Sequence, residues 1–352
     1  MRIKTVPSYV PALDGIRGWS TLIIIFHHVE LRGIPMPLRG GNGFDMFMVI
    51  SGFLVTGTLL RELDSTGGGI SISRFWVRRE LNLHLPLLIC SLLTVGAAWL
   101  WGGGGLEQAL MAALWNSAYL TNLALITGAQ NMKYFENLWA LSLQTQFYLL
   151  WPILLLSCVR LAKVRGVFFL ALCLSLASWM WRIILVMEGT GFHRIYYSLD
   201  AHMDSLAWGC AVAALLHWRG IGMVATKKFA VFSCLAAAGV FTSFVFPFTS
   251  HAQYFVLGGV AMTLLVAVVI ADVVHNQHSK VRVLLEWEPL ASLGRISYSV
   301  VLCHNVIIHL LRDNRFADLD VQMLTVVLSV LFGWALFCFV ELPCQRLKKR
   351  LT

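Results

Sequence analysis

Long apolar runs separated by short polar or glycine-rich breaks set the pattern of this chain. A helix needs about twenty mostly apolar residues to cross the hydrocarbon core of a bilayer. Runs of that kind fall near 14–31, 44–62, 81–101, 138–157, 167–187, 199–217, 229–248, 254–273, 293–311 and 321–341. Lipid offers backbone groups no hydrogen bonds, so runs of this length are expected to be helices. The expected fold is all-α: a polytopic membrane helical bundle of about ten transmembrane helices, plus one interfacial or re-entrant segment.

That extra segment is 106–127, where Glu107, Gln108, Asn116, Thr121 and Asn122 interrupt a moderately apolar stretch. Charge decides whether it crosses. If it does not, the N-terminus, Arg61 to Arg79, Arg160/Lys163/Arg165, Arg219/Lys227/Lys228, Lys280/Arg282 and the tail from Arg346 to Arg350 all share one side. Basic residues gather on the cytoplasmic side of membrane proteins. If the segment crosses, the later basic loops move outside. The expectation is therefore an outer interfacial or re-entrant 106–127, with both termini cytoplasmic.

Composition agrees with the pattern. Apolar residues make up 58% of 352 and charged residues 13%, and mean hydropathy is +0.73. These values describe a membrane protein rather than a soluble core. The net charge of +9 would suggest nucleic acid in a soluble chain; here the basic residues flank helices, so no nucleic-acid partner is expected. Eight scattered cysteines form no CxxC pair and read as packing residues. The first apolar run lacks a small-residue cleavage site, so no cleavable signal peptide is expected. No internal repeat and no paired broken helices stand out.

Polar groups inside the apolar runs carry the candidate chemistry, because a charged side chain at the centre of a membrane helix costs roughly 2.5–3.5 kcal/mol on insertion scales. The first run holds Asp14, Arg17, His27 and His28. Arg17 and His28 are eleven residues apart, three turns plus about 20°, so they share a face about 16 Å apart along the axis. His27 points about 100° away. A buried histidine satisfied by a neighbouring carbonyl is the alternative for His28. Asp45 opens the second run, as a helix cap or as a functional carboxylate. Gln144, Tyr148 and Trp151 share one helix face, as packing or as a substrate wall. Asp200 and Asp204, one turn apart beside His193, Arg194 and His202, need a cation or water nearby. His304 lies near mid-depth on another helix, on the face of Ser297 and opposite Arg295, and can share a site with His28. Arg78 and Arg79 form either a topology anchor or an anion site, since guanidinium groups bind phosphates in a bidentate manner. No metal-ligand spacing appears, and no metal is expected.

Five blocks, in order, resemble the integral-membrane acyltransferase family 3, bacterial O-acyltransferases that modify surface glycans, lipid-linked sugars and some small molecules. They are Leu13-Asp14-Gly15-Ile16-Arg17 through His28; Gly43 to Leu54 around Asp45 and Ser51-Gly52; Leu138 to Pro152 around Ser142, Gln144 and Tyr148; Gly294-Arg295 through His304; and Glu341-Leu342-Pro343. The resemblance runs from Pro11 to about Arg350. This chain differs in having Gln144 where the family usually has Glu, Asn82 in place of the second Arg of a cytoplasmic Arg-x-x-Arg, and His202 where an Arg is common.

The resemblance implies a single membrane acyltransferase domain over 1–352, in a bacterial cytoplasmic membrane. It implies O-acyl transfer, with acetyl the expected group, from acyl-CoA (acetyl-CoA) to a hydroxyl of a membrane-associated glycan or lipid-linked sugar. No permanently bound cofactor is expected. In this reading His28 is base or transient acyl carrier, Arg17 orients the donor or steadies the oxyanion, Asp14 holds Arg17, and Asp45 joins the catalytic set. Arg78, Arg79, Gln144, Tyr148, Asp204 and His304 bind substrate. With no soluble domain in 1–352, transfer is expected to finish in the membrane domain or with a separate extracytoplasmic partner. A catalytically impaired relative, or a glycan or acyl carrier without chemistry, is the alternative.

Overall fold

Backbone hydrogen bonding inside the apolar runs closes into helices throughout, and the computed structural model has no strand among the residues it describes: 9–29, 40–101, 105–129, 132–245, 250–313 and 318–351. In chain order the helices are α1 (Pro11–Val29), α2 (Gly40–Ser65), α3 (Ile72–Trp101), α4 (Leu106–Ser117), α5 (Thr121–Ile126), α6 (Trp139–Met187), α7 (Phe192–Tyr196), α8 (Leu199–His202) and α9 (Asp204–Arg219). There follow α10 (Lys227–Val245), α11 (His251–Gln253), α12 (Gly259–Val273), α13 (Lys280–Leu285), α14 (Glu288–Arg295), α15 (Ser297–Asp313), α16 (Asp318–Leu336) and α17 (Leu342–Leu351). Single π-helical turns, Tyr254–Gly258 and Phe337–Glu341, join α11 to α12 and α16 to α17.

Among the described residues, six helical stretches are long and apolar enough to cross a membrane, or seven if the bent pair α14–α15 is one span. This is fewer than the roughly ten expected. Part of the difference lies in α6, which belongs to a single 52-residue stretch, Glu136–Met187. At 1.5 Å per residue that is about 78 Å, more than twice a hydrocarbon core. Its backbone leaves helical geometry at Lys163, inside the basic cluster expected to separate two spans. The polar side chains of α1 lower its hydropathy, and α9, at 16 residues, is about 24 Å long. Leu92, Trp99, Leu100 and Phe339 turn large apolar surfaces outward, as a lipid-facing protein requires. The chain is a multi-pass membrane protein.

Two compact units divide the chain. The first comprises Met1–Ile23, Met36–Ile70 and Leu149–Arg295; the second comprises Ile24–Pro35, Ser71–Tyr148 and Ile296–Thr352. In unit one, α2 lies along α9 at backbone distance. A Cβ on Gly52 would strike the carbonyl oxygen of Leu206, and one on Gly209 would strike that of Val49. The same closeness recurs between α1 and α14, where Cβ atoms on Gly18 and Gly294 would meet the carbonyls of Leu290 and Asp14. Small residues permit such approaches between membrane helices. Ile50, Phe53, Ala213, Met262 and Ile270 fill the core beside them.

In unit two, α15 packs along α16, and α3 packs against α4 and α15. Leu87, Tyr134, Phe135, Leu138, Leu302 and Val306 form its core. Within 106–127, α4 has 12 residues and α5 has 6, so neither reaches across a bilayer. Tyr119 turns the chain between them at φ +55°. The Gln146 side chain donates to the Tyr119 carbonyl at 3.1 Å and exchanges hydrogen bonds with Asn122. A turn at Ile296 breaks the helix between α14 and α15. A continuous helical wheel therefore does not relate Arg295 to His304, contrary to the sequence expectation.

Candidate active site

The last turn of α1 and the third turn of α15 bring two imidazoles together in unit two. Nε2 of His304 lies 3.3 Å from Nδ1 of His28, with ring centroids 4.9 Å apart. Each ring is wired to its own helix: His28 Nδ1 lies 2.8 Å from the Ile24 carbonyl, and His304 Nδ1 lies 2.9 Å from the Val301 carbonyl. A carbonyl only accepts, so in each neutral ring the proton sits on Nδ1 and the lone pair on Nε2. His304 is fully buried, His28 half-buried and His27 exposed. Asn137 Nδ2 donates to the same Val301 carbonyl at 2.9 Å, and Asn305 donates to the Lys133 carbonyl at 2.6 Å, fixing α15 from the side.

Elsewhere in unit two, Arg79 lies over the Tyr148 ring at 4.5 Å and near the Phe75 ring at 5.7 Å. The indole of Trp76 donates to the Tyr148 carbonyl at 3.2 Å. Stacking leaves the guanidinium edge as the polar side of Arg79. Arg78 is half-buried next to it. Gln144, one turn before Tyr148, is also half-buried.

Unit one holds the remaining expected residues. Asp14 and Arg17 meet at 3.4 Å, a loose pair with the carboxylate buried and the guanidinium half-exposed. Asp45 is inside α2 rather than capping it. It is buried and accepts from Ser205 at 2.7 Å and Tyr254 at 2.7 Å, with His202 Nε2 at 2.9 Å. Asp204 is clamped by both terminal nitrogens of Arg182, at 2.8 and 2.7 Å, and both side chains are buried. The remaining Arg182 donors reach the carbonyls of Phe255 and Ala201. Asp200 is separated from Asp204 by a break at Met203 and has its own cation. Arg194 grips it at 2.9 and 2.6 Å, and Trp181 donates at 2.9 Å. Burial acts to raise the Asp200 carboxyl, but the bonds from Arg194 and Trp181 outweigh it and hold it at about 2.

The two acidic residues near position 200 thus have separate arginines. Arg182 was not among the residues singled out by sequence, although a charged residue inside the apolar run 167–187 was a readable signal. Tyr254 and Ser205 carried no such signal, since a hydroxyl in an apolar run is ordinary. Among the described residues, no three His, Cys, Asp or Glu side chains group as metal ligands.

These features define a helical membrane protein with paired imidazoles inside one unit and the buried, hydrogen-bonded carboxylates of Asp45 and Asp204 in the other. The chain belongs to the acyltransferase family whose domain profile, described as an acyltransferase domain, matches residues 10–340. It is 26% identical over 96% of its length to the peptidoglycan O-acetyltransferase OatA of Listeria monocytogenes. It is 27% identical over 97% of its length to the O-acetyltransferase OatA of Staphylococcus aureus strain NCTC 8325. Against a putative O-acetyltransferase of Staphylococcus aureus strain COL it is 28% identical over 96%. The matches cover 56%, 58% and 58% of those relatives, so the chain spans just over half their length. No solved structure matches.

Proposed function

We propose that the protein is an acyl-CoA-dependent O-acetyltransferase of a bacterial cytoplasmic membrane, acting on a hydroxyl of a membrane-associated glycan. The observation that carries this reading is the wiring of His28. Its Nδ1–H is committed to the Ile24 carbonyl, so Nε2 is the basic nitrogen. In the proposed step Nε2 takes the acceptor hydroxyl proton as the oxygen attacks the thioester carbonyl. The C–S bond then breaks, the proton passes to the leaving thiolate, and the products are a glycan acetyl ester and free CoA. His304 Nε2, facing His28 Nδ1, supplies a lone pair that steadies the imidazolium formed in that step. Arg79, presented on Tyr148 with Arg78 beside it, suits the donor phosphates.

Arg17, held by Asp14, orients the donor or steadies the oxyanion. Asp45, filled by three partners, orients His202. The names of the relatives support an acetyl group and a peptidoglycan-type acceptor, and basic residues flanking the helices support cytoplasmic termini.

The test uses purified full-length protein in lipid nanodiscs, acetyl-labelled acetyl-CoA and a lipid-linked muropeptide acceptor. Base-labile label should enter the acceptor with wild type and not with His28→Ala. Folded wild type that transfers no label from acetyl-CoA overturns the reading.

A further inference from the structure

Unit two buries a row of polar atoms whose hydrogen-bonding capacity is left unfilled among the described residues. On α6 these are Thr145 Oγ1 and Ser142 Oγ; just before it is Asn137 Oδ1. The α4–α5 turn adds the Tyr119 hydroxyl, in reach of the Thr145 hydroxyl of the same row, with its ring centroid 5.1 Å from that of His84. All four residues are at least nine-tenths buried. Tyr119 is also held at φ +55°, in the left-handed region a bulky side chain rarely enters, and Gln146 pins its carbonyl there. Each unpaired buried polar group asks for an explanation, and a strained backbone that holds one in place points the same way.

The row has two ends. At one, Arg79 stacks on Tyr148. At the other, the Val301 carbonyl accepts from both Asn137 and His304, and His304 faces His28. From Tyr148 back to Asn137 is eleven residues, about 16 Å at helical rise. The flexible arm of an acyl-CoA has about fourteen bonds between its inner phosphorus and its thioester carbon, roughly 16 Å at extended-chain spacing. That arm carries two amides and a hydroxyl, which need partners once inside an apolar bundle. Hydroxyl side chains both donate and accept, and an Asn oxygen accepts.

We propose that Tyr119, Thr145, Ser142 and Asn137 bind the amides of the pantetheine arm of the donor, laying it along α6 from the Arg79–Tyr148 stack to the histidine pair. This rests on the acyl-CoA reading above. The strained Tyr119 turn then acts as a preformed hydrogen-bonding tip that spares the donor the ordering of a mobile loop.

Titration calorimetry on the full-length protein, with free CoA and with adenosine 3′,5′-bisphosphate, separates the arm from the nucleotide. Tyr119→Phe and Thr145→Val should each weaken CoA about tenfold, the size of one lost hydrogen bond, and leave the nucleotide unchanged. Unchanged nucleotide binding also shows that the variants are folded. If wild type binds CoA and both variants bind it equally well, the arm lies elsewhere; the proposal falls and the donor reading stands. If wild type binds neither ligand, the donor reading falls and takes the proposal with it. A variant that weakens both ligands alike assigns Tyr119 to general packing and also overturns the proposal.

Discussion

His304 presents its Nε2 lone pair to the Nδ1 of His28 at 3.3 Å, while both Nδ1 protons are committed to backbone carbonyls. A neutral acceptor beside a base steadies the positive charge the base acquires, as a carboxylate does more strongly. His304→Ala should lower kcat roughly tenfold to hundredfold with little change in KM. His304→Gln, which can still accept through its amide oxygen, should recover part of the loss. Steady-state kinetics of acetyl transfer reads both. A KM effect alone would assign His304 to substrate binding.

Neighbouring histidines separate chemistry from surface. His27 is exposed and its ring meets that of His28 edge-on at 5.2 Å. His28→Ala should reduce transfer by about 10²–10⁴-fold, the usual contribution of a positioned general base. His27→Ala should keep most of the activity. Comparable losses in both would show that the two rings serve one function.

Arg182 and Asp204 form a buried bidentate pair, so removing either leaves a charge without its partner. Arg182→Ala or Asp204→Ala should each destabilise the protein by about 3–5 kcal/mol. Arg182→Met with Asp204→Leu should recover part of this, limited by the carbonyls of Phe255 and Ala201 that Arg182 now satisfies. Thermal unfolding in detergent gives the stabilities. Activity of the double variant tells whether Asp204 also touches substrate: transfer that persists makes the pair purely structural.

Asp200 sets a pH limit on its own corner. Its carboxyl is held at about 2 in the fold against an ordinary value near 3.9. A lowered carboxylate stabilises the fold fully above the unfolded value and loses that contribution as pH falls towards the folded one. The Trp181 indole signal in nitrogen-edited NMR should therefore stay constant from pH 7 to 4 and move only below that. Movement near pH 4 would mean that the Arg194 grip is loose in solution.

Gln144 replaces an acid common in the family and lies half-buried. Its amide can hold a hydroxyl by donating and accepting at once. Gln144→Glu adds a charge with its desolvation penalty, so it should lower activity or shift acceptor preference. Acetyl transfer to two different glycans measures this. Silent wild type with activity gained in Gln144→Glu/Asn82→Arg would instead mark an impaired relative.

Apolar runs made most helix positions readable, because in lipid length and hydropathy decide nearly everything. The exceptions have physical causes. Helix α3 begins at Ile72, not 81, because a charged stretch from Arg74 to Glu80 continues the helix beyond the apolar part. The basic cluster around Lys163 does separate two helical segments, but by a sharp break at one residue, φ +59°, rather than by a loop. That Arg17 and His28 lie on one helix was readable from the apolar run. The pairing of His28 with His304 was only a suggestion, and the clusters around Asp45 and Asp204 were not readable as geometry. Asp45 and Tyr254 are 209 residues apart, and no local pattern records such a contact.

The glycines between α2 and α9 have a further consequence. Asp45 and Ser205 lie about one turn before Val49 and Gly209 on the same two helices, so their 2.7 Å bond is set by the depth to which the two backbones mesh. The interface works as a ruler with no slack. A single methyl at Gly209 would appear first as a carboxylate that has lost its hydroxyl, one turn away from the atom that was added.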